Sequence, residues 1–204
     1  MVCLRRFEVL QNNFVIDEKR KHDRLYPVAI EFKDLTVIVG KNGSGKSQFI
    51  KAIIGCTKGS KDYKVKVDAD KGTHVLFFDE EDYKRRVQDP APWDTHDYSN
   101  EYLRLMMSHW KSTGEGHLEL MDSAIPTDNS KYRGYVFMYD EPDHNLDFKN
   151  QVKIFNRLKK LAKDNQVIVA THSPVIIAKA KEVFDMESKQ WVNSKEYLGR
   201  YGIG

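Results

Sequence analysis

The stretch "LTVIVGKNGSGKSQFIKAII", Leu35–Ile54, joins an apolar run to a glycine-rich turn and then to a helical pattern. "LTVIVG" is β-branched and apolar, which predicts a strand. Beyond Gly45, Phe49, Ile50, Ile53 and Ile54 recur at i, i+1, i+4 and i+5, so one face of a helix carries them. Between the two, Gly40, Lys41, Asn42, Gly43, Ser44, Gly45, Lys46 and Ser47 spell G-x-x-x-x-G-K-[ST]. The glycines let the backbone curl so that successive N–H groups point inward at phosphate oxygens. The helix N-terminus adds a partial positive charge. Lys46 is expected to neutralise β- and γ-phosphates and Ser47 to bind Mg²⁺, with Gln48 completing the candidate nucleotide-binding set. The pattern points to a nucleoside triphosphate but does not name the reaction.

The second informative stretch is "YVFMYDEPDHNLD", Tyr135–Asp147, in which a buried strand ends on two adjacent carboxylates. Desolvation makes such a pair costly unless something cationic sits there. Nucleotide-bound Mg²⁺ supplies that cation. In a parallel sheet the C-terminal strand ends gather at one edge, so Asp140 and Ser47 are expected to share the metal. Glu141, one residue further on, is then placed to orient and deprotonate the attacking water. A third apolar strand, "VIVATHSP", ends on His172. A histidine there can merely cap the next helix, but at the edge shared with Ser47 and Glu141 it is expected to hydrogen-bond the γ-phosphate.

Outward from these motifs, strands alternate with helices, which implies α/β organisation with a mainly parallel central sheet flanked by helices. "CLRRFEVL" and "YPVAIEF" read as strands of an N-terminal antiparallel β portion, "YKVKVDA" as an edge strand and "HVLFFD" as a buried one. The helix "DFKNQVKIFNRLKKLAKD" places Val152, Phe155, Leu158 and Leu161 on one stripe. Residues 80–132, rich in Pro, Asp and Trp and containing "EYLRLMMSHW", read as an inserted helical lobe within a single domain spanning 1–204.

A chain of 204 residues is long enough to bury roughly 70% of its extended surface without staples. No apolar run approaches the roughly 20 residues that span a bilayer, and "MVCLRRFEVL" is too short and charged for a secretory leader, so a cytoplasmic location is expected. Cys3 and Cys56 lack zinc or disulfide spacing and read as buried thiols. The net charge of +3 does not by itself indicate a nucleic-acid binder, and the basic run at 18–24 reads as a solvated loop.

"GKNGSGKS", "VFMYDEPDHNLD" and "VIVATHSP", in that order, resemble Walker A, Walker B with D-loop, and the histidine switch of the ABC-type ATPases. DEP-x-x-x-LD, here Asp140, Glu141, Pro142, Leu146 and Asp147, separates that family from most other P-loop proteins. The resemblance runs from about Leu10 to Phe184 and implies ATP and Mg²⁺ as ligands, ATP hydrolysis, and two heads that sandwich ATP. It also implies a signature segment ahead of Walker B. "KSTGEG" supplies Ser112, Gly114 and Glu115 at that place, although Ser112 and Glu115 also fit a plain helix cap. Lys111 and Thr113 depart from the transporter signature. The glutamine usual after "HVLFF" is replaced by Asp79, Glu80 and Glu81, of which Glu80 is the candidate metal or water ligand. Phe14 and Tyr26 are candidates to stack on adenine, with core packing the simpler reading of each.

The pattern "LQNNFV…YPVAIEFKDLTVIVGKNGSGKS" resembles the heads of the RecF, SMC and SbcC branch and small stand-alone "AAA" ATPases of phage, defence or toxin–antitoxin type. That implies an ATP-dependent homodimer or paired head acting on a partner protein, with nucleic acid as a further candidate partner. The alternative is the ATPase subunit of a membrane ABC transporter. A small-molecule kinase gives no reason for DEP-x-x-x-LD and THSP, and a module that binds ATP without turnover gives none for Glu141.

Overall fold

The computed structural model describes residues 4–12, 28–57, 63–78, 117–119, 121, 124–126, 132 and 134–203. Its elements run β1 (Leu4–Asn12), β2 (Val28–Glu31), β3 (Leu35–Val39), α1 (Lys46–Thr57), β4 (Tyr63–Ala69), β5 (Val75–Phe78) and β6 (Val136–Asp140). There follow α2 (Phe148–Leu161), β7 (Gln166–Ala170), α3 (Pro174–Lys179), β8 (Glu182–Asp185), β9 (Gln190–Asn193) and α4 (Ser194–Gly199). A six-stranded sheet has the order β5-β6-β7-β3-β8-β9. All its pairings are parallel except β8 with β9. A separate antiparallel sheet has the order β2-β1-β4. The mainly parallel sheet, its flanking helices and the N-terminal antiparallel portion are as the sequence predicts.

The period-two alternation of strand side chains sorts the core onto the two faces of the central sheet. Ile38, Val136, Met138, Ile168 and Ala170 face Phe49, Ile50 and Ile53 of α1 and, beyond them, Phe7, Val9 and Ile30 of the antiparallel sheet. On the opposite face, Phe137, Tyr139, Val167 and Val169 pack on Ile154, Leu158 and Leu161 of α2. Val37 and Val39 on that face meet Phe155, Ile176, Ile177, Tyr197 and Leu198. Helix α1 is thereby clamped between two sheets, which holds its N-terminus rigidly at the edge where the strands end. Gln166 ties the sheets together: its buried carboxamide accepts from Leu4 N at 2.9 Å and donates to Leu4 O at 2.8 Å.

Two local expectations are corrected. In α2 the buried stripe is Ile154, Phe155, Leu158 and Leu161, with Val152 only half-buried. The helix is wedged between two apolar clusters, so its buried arc is rotated from the one that a single packing surface would select. Among the described strands β5 lies at the rim of the six-stranded sheet, and Leu76 is 40% exposed, so "HVLFF" is a half-buried strand and not a fully buried one. Of residues 80–132, expected to form an inserted helical lobe, the structure describes only 117–119, 121, 124–126 and 132. Met121 and Ile125 pack beneath β6, and Tyr139 Oη donates to Ala124 O at 3.2 Å. Cys56 is a free, half-buried thiol whose pKa burial raises, while Cys3 lies outside the described residues.

Candidate active site

The loop after β3 has the geometry its glycines suggest. Gly40, at φ +148°, is buried, and a Cβ there would lie 2.5 Å from Ser44 Oγ and 3.3 Å from Met186 Cβ. Gly43, at φ +80°, also occupies backbone space that side chains disfavour. The turn closes through Ser44 N donating to Lys41 O at 3.1 Å, and α1 begins with Phe49 N donating to Gly45 O at 2.8 Å. Helix geometry leaves the N–H groups of the first turn, from Lys46 on, without intrahelical acceptors. Among the described residues the buried Ser44 Oγ has no hydrogen-bond partner. A tightly wound cradle that a methyl group would fill, with donors to spare at a helix start, fits a phosphate chain.

Strand order brings three loops together. β7 lies between β3 and β6, and the register pairs Asp140 with Ala170 and Ile38 with Ala170. The cradle after β3, the carboxylates ending β6 and the histidine following β7 therefore share one edge. Lys46 is 5% exposed. Its ammonium donates to Gly40 O at 3.0 Å and Lys41 O at 3.3 Å, and lies 2.7 Å from His172 Nε2. An ammonium has donors only, so Nε2 supplies a lone pair and the imidazole is neutral, with its proton on Nδ1. Glu141 Oε1 approaches the same Nε2 at 3.5 Å, while Glu141 Oε2 lies 3.6 Å from His144 Nδ1.

The electrostatics agree with this proton assignment. Burial and then the charge of Lys46 hold the His172 pKa below its ordinary value, against an opposing pull from Glu141. Burial lowers the pKa of Lys46, opposed by the carboxylates of Glu141, Asp140 and Glu187. Glu187 also accepts from Lys41 N at 3.1 Å, fastening the cradle to the loop after β8. Glu141 sits at φ +50°, a left-handed conformation for a residue with a Cβ. It is held by its own N–H donating to Ala170 O at 2.9 Å and by His144 N donating to Glu141 O at 3.1 Å.

For a divalent cation, the Ser47 hydroxyl and Asp140 carboxylate are hard oxygen donors at the cradle and at the end of β6. Among the described residues no group of three or more His, Cys, Asp or Glu side chains forms a metal cage. A donor set this small suits Mg²⁺, which binds through one or two protein oxygens plus phosphates and water. Ser112, Gly114 and Glu115, the acidic Asp79, Glu80 and Glu81, and Phe14 and Tyr26 lie outside the described residues. The structure brings in residues that motif reading passed over: Asp143, His144, Thr171 and Glu187. The one visible hint was a charged residue in the variable interior of DEP-x-x-x-LD.

A family model described as "AAA domain, putative AbiEii toxin, Type IV TA system" matches residues 123–178, which include Asp140, Glu141 and His172. An uncharacterised ABC transporter ATP-binding protein of Haemophilus influenzae is 25% identical over an alignment of 179 positions, covering 71% of this chain. The match spans 66% of that protein, just under two thirds of its length. A dimeric ATP-binding cassette in a post-hydrolysis state with ADP and Pi superposes with a TM-score of 0.55 at 17% identity, covering 95% of this chain and 99% of that one. A dimeric bacterial ABC transporter cassette gives 0.56 at 18% identity, covering 91% and 94%. At that identity the structures establish a common fold. The chain thus has the fold of the ATP-binding cassettes, with the cradle, the paired carboxylates and the histidine at one edge of it.

Proposed function

We propose that the chain binds ATP with Mg²⁺ and hydrolyses it to ADP and phosphate, two heads closing on the nucleotide and reopening after hydrolysis. The observation that carries this reading is the convergence of Lys46, His172 and Glu141, with contacts of 2.7 and 3.5 Å, at the mouth of the Gly40–Ser47 cradle. Backbone N–H groups of the cradle and Lys46 hold the phosphates. Ser47 and Asp140 would hold Mg²⁺, which would supply positive charge against the phosphates. Glu141 accepts the proton of the attacking water, and His172, released from Lys46 and with its proton on Nε2, donates to the terminal phosphate. Gly40, Lys41, Asn42, Gly43, Ser44, Gly45 and Gln48 line the nucleotide, and Glu80 stands as a candidate further metal ligand.

In a paired arrangement, Ser112, Gly114 and Glu115 of one head grip the nucleotide on the other. Asp147 caps α2 at the same rim, and Phe148 beside it is 75% exposed. The cycle serves as a switch for a partner protein or a nucleic-acid transaction in the cytoplasm. Kinship with stand-alone ATPases of defence or toxin–antitoxin type draws support from the family match over 123–178, while kinship with RecF, SMC and SbcC-like heads rests on the sequence pattern from Leu10 to Ser47. A transporter role draws on the likeness to the Haemophilus ABC transporter ATP-binding protein, and co-purification with a membrane protein tests it. Among the described residues, no helix is long and apolar enough to cross a membrane.

Glu141→Gln decides the central reading. Loss of the base is expected to slow turnover by roughly 10²–10⁴-fold while ATP binding persists and an ATP-bound dimer accumulates. Turnover at the wild-type rate refutes Glu141 as the base.

A further inference from the structure

We propose that Asp143 and Thr171 form a brace that positions Glu141 against His172, so that the two loops act as one unit during hydrolysis. This rests on the hydrolytic reading above. Asp143 follows Glu141 by two residues and Thr171 immediately precedes His172. Thr171 Oγ1 donates to Asp143 Oδ1 at 2.6 Å and accepts from Ser173 N at 2.9 Å, so both capacities of the hydroxyl are used. Thr171 N donates to Ile38 O at 3.1 Å, anchoring this end of the brace to the strand that leads into the phosphate cradle.

A second link closes the ring. Ser173 Oγ donates to Gln151 Oε1 at 2.7 Å, and Gln151 Nε2 donates to Leu146 O at 2.7 Å. The ring of Asp143, Thr171, Ser173, Gln151 and Leu146 therefore encloses the loop between β6 and α2. From the other side, His117 Nε2 donates to Pro142 O at 3.1 Å.

Two features separate this from ordinary helix capping. The start of α3 is capped by Ser173 Oγ and that of α2 by Asp147, so neither helix needs Asp143. Asp143 is 8% exposed, and burying a carboxylate is costly when an apolar residue would fill the space at no electrostatic cost. What the carboxylate gains is a fixed hold on the hydroxyl beside His172. Glu141, in its left-handed conformation, stays where the rigid flanks of its loop put it. Asp143 and Thr171 are positioning residues, which act through Glu141 and His172.

The test compares Thr171→Val, nearly isosteric but without the hydroxyl, with Thr171→Ser, which keeps it. Steady-state ATP hydrolysis with Mg²⁺ is measured alongside Glu141→Gln. A misplaced base is expected to lower kcat of Thr171→Val by roughly 10- to 100-fold while KM for ATP stays nearly constant. Thr171→Ser restores kcat, and Asp143→Asn, whose amide oxygen accepts the same bond, stays near the wild type while Asp143→Ala does not. Wild-type kcat in Thr171→Val, a loss that Thr171→Ser shares, or a parallel rise in KM overturns the brace.

Should Thr171→Val not fold, Asp143→Asn against Asp143→Ala decides in its place. No turnover in the wild type sinks the hydrolytic reading, and normal turnover in Glu141→Gln refutes Glu141 as the base; either result leaves the brace to a second readout, the His172 imidazole NMR signals. These are displaced in the brace-breaking variants and return in Thr171→Ser and Asp143→Asn. Signals that do not move refute the brace whatever the turnover.

Discussion

Glu141 lies at φ +50° immediately after a strand, and the backbone strain there can be measured separately from its chemistry. The comparison is Glu141→Gly against Glu141→Ala. Neither side chain can act as a base, so activity drops out and only the backbone differs. A left-handed residue with a Cβ costs roughly 1–2 kcal/mol. Glycine escapes that cost but loses roughly 0.5–1 kcal/mol through the greater freedom of its unfolded chain. Both variants keep the bonds from residue 141 N to Ala170 O and from His144 N to residue 141 O, because these use only the backbone. Taking the middle of each range, the net is about 0.75 kcal/mol in favour of glycine. For a chain of this size about 1 kcal/mol moves Tm by roughly 2–4 °C, so Glu141→Gly is expected to melt about 1–4 °C above Glu141→Ala. Differential scanning fluorimetry without nucleotide, backed by urea unfolding, reads the difference. Without strain only glycine's entropic cost would remain, so a Tm for Glu141→Gly about 1–4 °C below that of Glu141→Ala shows that residue 141 carries no strain in the folded chain.

Other consequences follow from the same geometry. Gly40→Ala puts a methyl 2.5 Å from Ser44 Oγ and 3.3 Å from Met186 Cβ, whereas Gly43→Ala meets nothing within 4 Å. Nucleotide affinity is therefore expected to fall clearly further in Gly40→Ala, by about tenfold for each 1.4 kcal/mol of distortion, and equal losses in a fluorescent-nucleotide titration contradict the cradle geometry. Because burial and Lys46 depress the His172 pKa, an imidazole NMR titration should place it below 6.5, and Lys46→Met should move it up. The linkage sign follows: with the folded pKa below the unfolded one, His172 contributes stability that is present above about pH 6.5 and is lost as pH falls through the folded pKa. An apparent pKa at or above 6.5 rules out the neutral-imidazole contact with Lys46.

Much of the site was legible because its parts are local. A β-branched run, a glycine-rich turn and an amphipathic helix are contiguous in Leu35–Ile54, and each is set by short-range sterics and periodicity. The same holds for a strand that ends in Asp140 and Glu141, and for one that runs into His172. The sequence by itself therefore determined the phosphate cradle, the identity of the acidic and histidine strand ends, and the mainly parallel α/β class.

Only the tertiary structure decided which strand ends are neighbours. Placing β7 between β3 and β6 puts His172 2.7 Å from Lys46 and 3.5 Å from Glu141, across gaps in sequence that no periodicity spans. The bond between Asp143 and Thr171 depends on the register of β6 against β7, because a slip of one residue would turn Thr171 to the other face. The rotated stripe of α2 and the half-exposed β5 have the same origin: burial is a property of what lies opposite, and that surface is assembled from distant parts of the chain. Motifs name the chemistry because covalent neighbours carry them, whereas the positioning of that chemistry is a matter of packing and register.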